Sequence, residues 1–308
     1  MSNANGGYTT GRRMALTRLR LSFWGSVHAE LVKLMSLAST WWLIGIAILL
    51  MPAITALSVW GTIILSGLGD DDQTSTVAQS VASADLWSSI GSAFNMVGLV
   101  IGILGVMAIT TEYTTSSVQA SLSVNPRRVV FMNAKALATW VCVFVAMLIG
   151  MLVSWVVMFA MSAHTTIEPL NHDQRFVPLV VIVGGPAILA CMAVLSLGLG
   201  AMCRSTVGGI FALIGVEMLL PSLFTIAPAL NSHFIWMESI GACLPSTTMS
   251  VFLSGPGGGS GASRTATADL GQAASFAPDW WQGGLIFLAW AVVFYIIGVI
   301  VVARSDVK

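Results

Sequence analysis

The amino-acid sequence predicts an all-α polytopic membrane protein with six transmembrane helices, and three observations carry that reading. Of 308 residues, 56% are hydrophobic and only 8% are charged, whereas a soluble domain carries about 25% charge. A globule so poor in charge could not cover its surface, and a disordered chain needs the opposite balance, so both classes are excluded. Mean hydropathy is +0.88. Second, six stretches reach the roughly 20 mostly apolar residues that a helix needs to cross the hydrocarbon core: 41–66, 86–111, 136–161, 177–202, 207–227 and 281–302. Third, the 13 basic and 13 acidic residues cancel in sum but are sorted in space. Arg12, Arg13, Arg18, Arg20, Lys33, Arg127, Arg128, Lys135, Arg204, Arg304 and Lys308 fall on one side of the six spans, and only Arg175 and Arg264 on the other. An excess of Lys and Arg marks the cytoplasmic side, so both termini are expected there.

Residues 1–11, rich in Ser, Asn, Gly and Thr, read as a disordered N-terminus. Residues 12–40 read as an amphipathic helix. Leu16, Leu19, Phe23, Val27, Leu31, Leu34 and Ala38 recur at steps of three or four, which is the helical period. Glu30, Lys33 and other polar residues fall mostly on other faces. A basic amphipathic helix before a span is expected to lie along the inner leaflet, drawn by anionic lipid. The first apolar run starts near residue 41 and is too long for a signal-peptide core, so no cleavable signal is expected.

Span one contains Pro52, expected to kink the helix because apolar residues continue on both sides. After span two comes a polar stretch. Thr114 or Thr115 can cap a short helix over 113–124, Val118 and Leu122 form an apolar i, i+4 pair, and Asn125-Pro126 stops it. Glu112 sits where apolar residues end, beside Arg127 and Arg128, and a carboxylate so placed is expected to pair with a base or cap backbone N–H groups. Spans four and five are separated only by Cys203-Arg204-Ser205-Thr206, a turn short enough to force an antiparallel hairpin. The external loop 228–279 begins with apolar pieces broken at Glu238, Gly241 and Pro245, which predicts a re-entrant or interfacial hairpin between spans five and six. A flexible glycine run, 255–261, follows.

Glu217 is the one acid deep in a span. It lies about ten residues into span five, roughly 15 Å at the helical rise. A carboxylate there costs roughly 2.5–3.5 kcal/mol on insertion scales, so it must face the bundle interior, a subunit interface or a wet cavity. Pro221 leaves the Glu217 carbonyl without its helical partner, which allows a local break. Two roles stay open: a hydrogen bond to a neighbouring helix, or a place in a transport pathway.

Several chemistries find no support. No G-x-x-x-x-G-K-[ST] occurs, so the chain is not read as an enzyme and binds no ATP itself. Cys142, Cys191, Cys203 and Cys243 have no C-x-x-C spacing, and the four His have no metal-ligand spacing, so no metal is expected. Nucleic acid is not an expected partner.

Together these parts resemble the membrane subunit of type-2 ATP-binding-cassette exporters, the drug and antibiotic exporter permeases common in actinobacteria. Four motifs, in order, carry the resemblance over residues 12–308. Glu30-Leu31-Val32-Lys33-Leu34 is followed by Ser39-Thr40-Trp41-Trp42. Thr110-Thr111-Glu112-Tyr113 is followed by Pro126-Arg127-Arg128 and Lys135. Glu217 precedes Leu219-Leu220-Pro221, with Leu244-Pro245 after it. Arg304-Ser305-Asp306-Val307, just before Lys308, is the fourth.

The resemblance implies an interface helix carrying Glu30 and Lys33. It implies a coupling helix at 113–124 docking on an ATPase, with Glu112, Tyr113, Val118, Leu122, Arg127 and Arg128 as its coupling residues. It implies a pathway lined by span five and Glu217. Two ATPase subunits holding ATP and Mg, and a second copy of the chain or a related permease, are the implied partners, in a bacterial cytoplasmic membrane. The implied activity is export of hydrophobic or amphipathic molecules. A self-contained secondary transporter or channel, and a non-transporting immunity or sensor protein, are the alternatives.

Overall fold

The computed structural model describes residues 22–68, 80–114, 128–163, 165–170, 172–230, 235–256 and 276–304. The expected coupling helix lies outside the described residues from position 115 on, and so do Val118, Leu122 and Arg127.

Six helices are long and apolar enough to cross a membrane, and the all-α class holds. The helix α1 spans Phe23–Ser36. It stops because the Ser36 hydroxyl donates to the Lys33 carbonyl at 2.7 Å and Leu37 turns extended. The Trp41 indole N–H then donates to the Met35 carbonyl at 2.7 Å and sets the corner. Span one, α2, therefore opens at Ala38 rather than at residue 41, and runs to Leu68 through Pro52.

Span two was expected to be continuous. It is two helices, α3 over Ser83–Gly91 and α4 over Phe94–Thr114, with a tight turn at Ser92 and Ala93. Three serines explain the break. Ser88 and Ser89 donate to the Asp85 carbonyl and Ser92 to the Ser89 carbonyl, and such back-bonding competes with the helical ladder. Tyr113 and Thr114 end α4 rather than opening a new helix.

Span three, α5, covers Arg128–Met161 and starts eight residues before the expected 136, so Lys135 lies inside a helix. Span four, α6, runs over Val177–Cys203 with a π turn at Val180–Gly184. The hairpin turn is built from two local devices. Arg204 adopts a left-handed φ of 52° and its N–H reaches the Gly200 carbonyl at 3.0 Å; the Ser205 hydroxyl then accepts the Gly208 N–H at 3.4 Å and caps the next helix.

Span five, α7, is Thr206–Ile214, a π turn at Gly215–Leu219, and Leu220–Leu230. Two short helices follow, α8 over Ile235–Gly241 and α9 over Pro245–Ser254, interrupted at the glycine and proline that the sequence singles out. Span six, α10, is Trp280–Arg304. One feature was not expected: Ser80–Ala82 and Thr166–Glu168 pair as a three-residue parallel ladder between the loops before spans two and four. Strands this short carry no readable alternation.

The helix α6 is the hub, packed against α4, α5, α10 and the start of α7. Glycines allow the close approaches. A Cβ at Gly198 would lie 2.5 Å from the Phe294 carbonyl oxygen of α10, and one at Gly298 would lie 2.8 Å from the Gly198 carbonyl oxygen. Small residues that bring backbones together substitute for the hydrophobic drive that lipid does not supply between helices.

Candidate functional site

Two polar places stand out in an otherwise apolar bundle. The first joins α1 to the facing ends of α4 and α5. At 100° per residue, Val27, Glu30 and Leu34 fall within about 60° of one another on α1. Val27 and Leu34 are buried with Phe131, Met132 and Ala134 of α5 and with Ala108 and Ile109 of α4. Glu30 was expected on a polar outer face. It lies on the covered face instead, because Lys135 meets it there: Lys135 Nζ donates to Glu30 Oε2 at 2.6 Å.

The same Nζ donates to Glu112 Oε1 at 2.8 Å, and Lys33 Nζ donates to that oxygen as well. Two carboxylates and two ammonium groups thus form one charge-neutral set. Lys135 is 1% exposed and Glu112 2%. The Phe131 ring, one turn before Lys135, lies 5.2 Å from its Nζ and adds a cation–π contact.

The bases on this oxygen are Lys33 and Lys135. Since α5 starts at Arg128, the helix carries Lys135 seven residues, about 10.5 Å, further along its axis, level with Glu112. The sequence marks Lys135 as a cytoplasmic-side base and as part of a motif, not as the partner of Glu30 or Glu112. Its signal was there: a lone Lys between Ala134 and Ala136 in an apolar helix has to find a counter-charge. Nearby, Thr206 Oγ1 donates to Thr110 Oγ1 at 2.9 Å, and Tyr295 donates its hydroxyl to Asn133 Oδ1 at 2.6 Å, tying α7 to α4 and α10 to α5.

The second place is a cleft of about 300 Å³ between α4, α7 and α9. Glu217 lines it from the π turn. Pro221 has no N–H for the Glu217 carbonyl, and the helix widens there to i→i+5 bonding, with the Leu220 N–H on the Gly215 carbonyl. Glu217 is 8% exposed, and its Oε1 is buried without a hydrogen-bond partner among the described residues. The Ser246 hydroxyl of α9, also on the cleft, is likewise buried and unpartnered. Asn95 lines the wall from α4.

Asn95 and the α9 hydroxyls had not been singled out. Their signals were an amide early in an apolar helix, and Ser246, Thr247 and Ser250 at spacings that share a helix face.

Among the described residues, no group of three His, Cys, Asp or Glu side chains is placed to hold a metal.

No curated protein matches the chain. A family model described as ABC-2 family transporter protein matches residues 27–307. That match takes in α1 from Val27, all six apolar helices and both polar places, so the chain is a multi-pass membrane protein that belongs to the ABC-2 family of transporter proteins.

Proposed function

We propose that the chain is the permease subunit of an ATP-driven exporter, moving hydrophobic or amphipathic molecules across the bacterial cytoplasmic membrane while a separate subunit hydrolyses ATP. Family membership supports a permease role. The observation that carries the coupling part is the ionic set of Glu30, Lys33, Glu112 and Lys135. Residues 115–127 connect α4 to α5, so a force on that segment enters the bundle through the ends of these two helices. The ionic set ties both ends to α1, and the three move as one lever.

In this reading the segment after α4, residues 115–124, docks on the ATPase through Val118 and Leu122, flanked by Arg127 and Arg128. The helix α1 rests on the inner leaflet, with Trp24, Val32 and Met35 exposed on its outward face as lipid contacts. Two permease copies and two ATPases make the working unit, and α8 and α9 cap the pathway outside.

The test is copurification with the ATPase encoded beside this gene, and ATP hydrolysis by the complex. Replacing Val118 and Leu122 together by Ala removes roughly 2–4 kcal/mol of apolar burial. The double variant is expected to insert normally and to lose copurification or stimulation. Unchanged assembly and hydrolysis would exclude this segment as the docking element. A self-contained secondary transporter is the second reading, favoured by the intramembrane acid Glu217; transport that persists without any ATPase would select it.

A further inference from the structure

We infer that the cleft between α4, α7 and α9 is a binding site for an organic ammonium cation, held by Glu217 and by hydroxyl oxygens of α7 and α9 and lying with its apolar body against α4. As the site of a transported cation it rests on the exporter reading above; binding itself does not need that reading.

Three hydroxyls of the wall offer acceptors only, beside the Asn95 amide and the Ser246 hydroxyl, which can also donate. Ser222 donates its proton to the Met218 carbonyl at 2.6 Å. Thr247 donates to the Gly241 and Leu244 carbonyls at 2.7 and 2.8 Å, and Ser250 to the Thr247 carbonyl at 2.7 Å. All three line the cleft, and all three have spent their proton on their own backbone. What remains on each is an acceptor lone pair. Glu217 adds a carboxylate, which as an ion only accepts. Three acceptor hydroxyls beside a negative charge call for a ligand that is positive and rich in donors. An ammonium group, with up to three N–H bonds, is both.

Two groups in the cleft lack a partner among the described residues. Glu217 Oε1 and Ser246 Oγ are buried with no hydrogen bond, and a buried polar group left unpaired is costly, more so when charged. That cost falls away when a ligand supplies the missing bond. Met96 and Leu99 line the α4 side and Met218 adds an apolar side chain from α7. Unbranched Met side chains adapt to varied shapes. A volume near 300 Å³ sits at the lower bound for a small-molecule site, which suits an amine with one ring or a short chain. A divalent metal fits poorly, since it takes six or more oxygens, usually several of them carboxylates, and only one carboxylate lines this cleft.

The experiment uses the full chain in lipid nanodiscs, with empty discs subtracted. 2-Phenylethylammonium, 2-phenylethanol and the N-trimethyl analogue of the amine are titrated by calorimetry. The primary ammonium is expected to bind wild type and to bind Glu217→Gln at least tenfold more weakly. The alcohol is expected not to bind, and the trimethyl analogue, lacking N–H donors, to bind severalfold more weakly than the primary amine.

A second measurement needs no variant: modification of Glu217 by a hydrophobic carbodiimide, read by mass spectrometry. The ammonium should slow it and the alcohol should not, while Glu112, held by lysines, serves as the internal control. Equal affinity of the amine for wild type and Glu217→Gln, equal protection by the alcohol, or no binding at all would overturn the assignment. If the amine binds as expected but leaves ATP hydrolysis of the assembled transporter unchanged, the transport role of the site fails and the binding site stands. If other molecules stimulate hydrolysis while the amine does not bind, the cation site fails and the exporter stands.

Discussion

Glu112 and Glu217 are the same residue type, 2% and 8% exposed, in the same apolar bundle. Their surroundings are opposite. Two lysines, from α1 and α5, hold Glu112, whereas Glu217 has no ion pair or hydrogen bond among the described residues. A buried acid with its counter-charge supplied by the protein joins helices together. A buried acid without one is costly to the fold, and its surroundings leave room for a counter-charge from outside. The difference shows how a single side chain becomes a rivet at one end of the bundle and a receptor at the other.

The comparison also assumes a direction across the membrane, and this gives the largest expected effect, an all-or-none one. In a cysteine-free background, Ser260→Cys should react with an impermeant maleimide in intact cells and Arg127→Cys should not. The reverse pattern would put the ionic set outside, away from any ATPase.

Next is Lys135→Met, which keeps length and removes the shared counter-charge. Glu30 loses its partner and Glu112 keeps only Lys33. Breaking a buried pair by removing one partner costs about 3–5 kcal/mol, so the detergent-solubilised variant should unfold at markedly lower temperature and accumulate poorly. Wild-type thermal stability would mean the set does not hold the helices.

Glu112→Gln is milder, because Lys135 keeps Glu30. The loss should be near 1.5–3 kcal/mol, the range of hydrogen bonds to charged groups. Expression should stay close to normal while stimulation of ATP hydrolysis by the permease falls. Normal stimulation would make Glu112 a purely static contact.

Glu217→Gln should have the smallest effect on folding, within about 0.5 kcal/mol or slightly stabilising, since it removes a buried charge with no partner among the described residues. A loss as large as that of Lys135→Met, read in the same thermal assay, would erase the distinction between the two acids.

Much of the architecture was legible because each part has a local cause. Length and hydropathy alone mark the spans, so their number and order follow from composition along the chain. Gly241 and Pro245 interrupt α8 and α9 by backbone chemistry that needs no neighbours. The four-residue link between spans four and five is too short to allow anything but a hairpin. Glu217 stood out because an acid deep in an apolar run is expensive wherever it sits.

What the sequence determined by itself, then, was the number of apolar helices, the sorting of charge between their two sides, and the presence of an acid in span five. The tertiary structure alone decided which base met which acid. Glu30 and Lys135 are 105 residues apart and Glu112 and Lys33 are 79 apart, separations that no local pattern connects. Pairing depends on where helices start and on which faces they turn to one another, and both shifted here: α5 begins eight residues early, and α1 turns Glu30 inward. The cleft is decided the same way. Asn95, Glu217 and Ser246 come from three elements and mean little apart. They acquire a common chemistry only because packing sets them around one space, and packing is a property of distances between elements that no local pattern records.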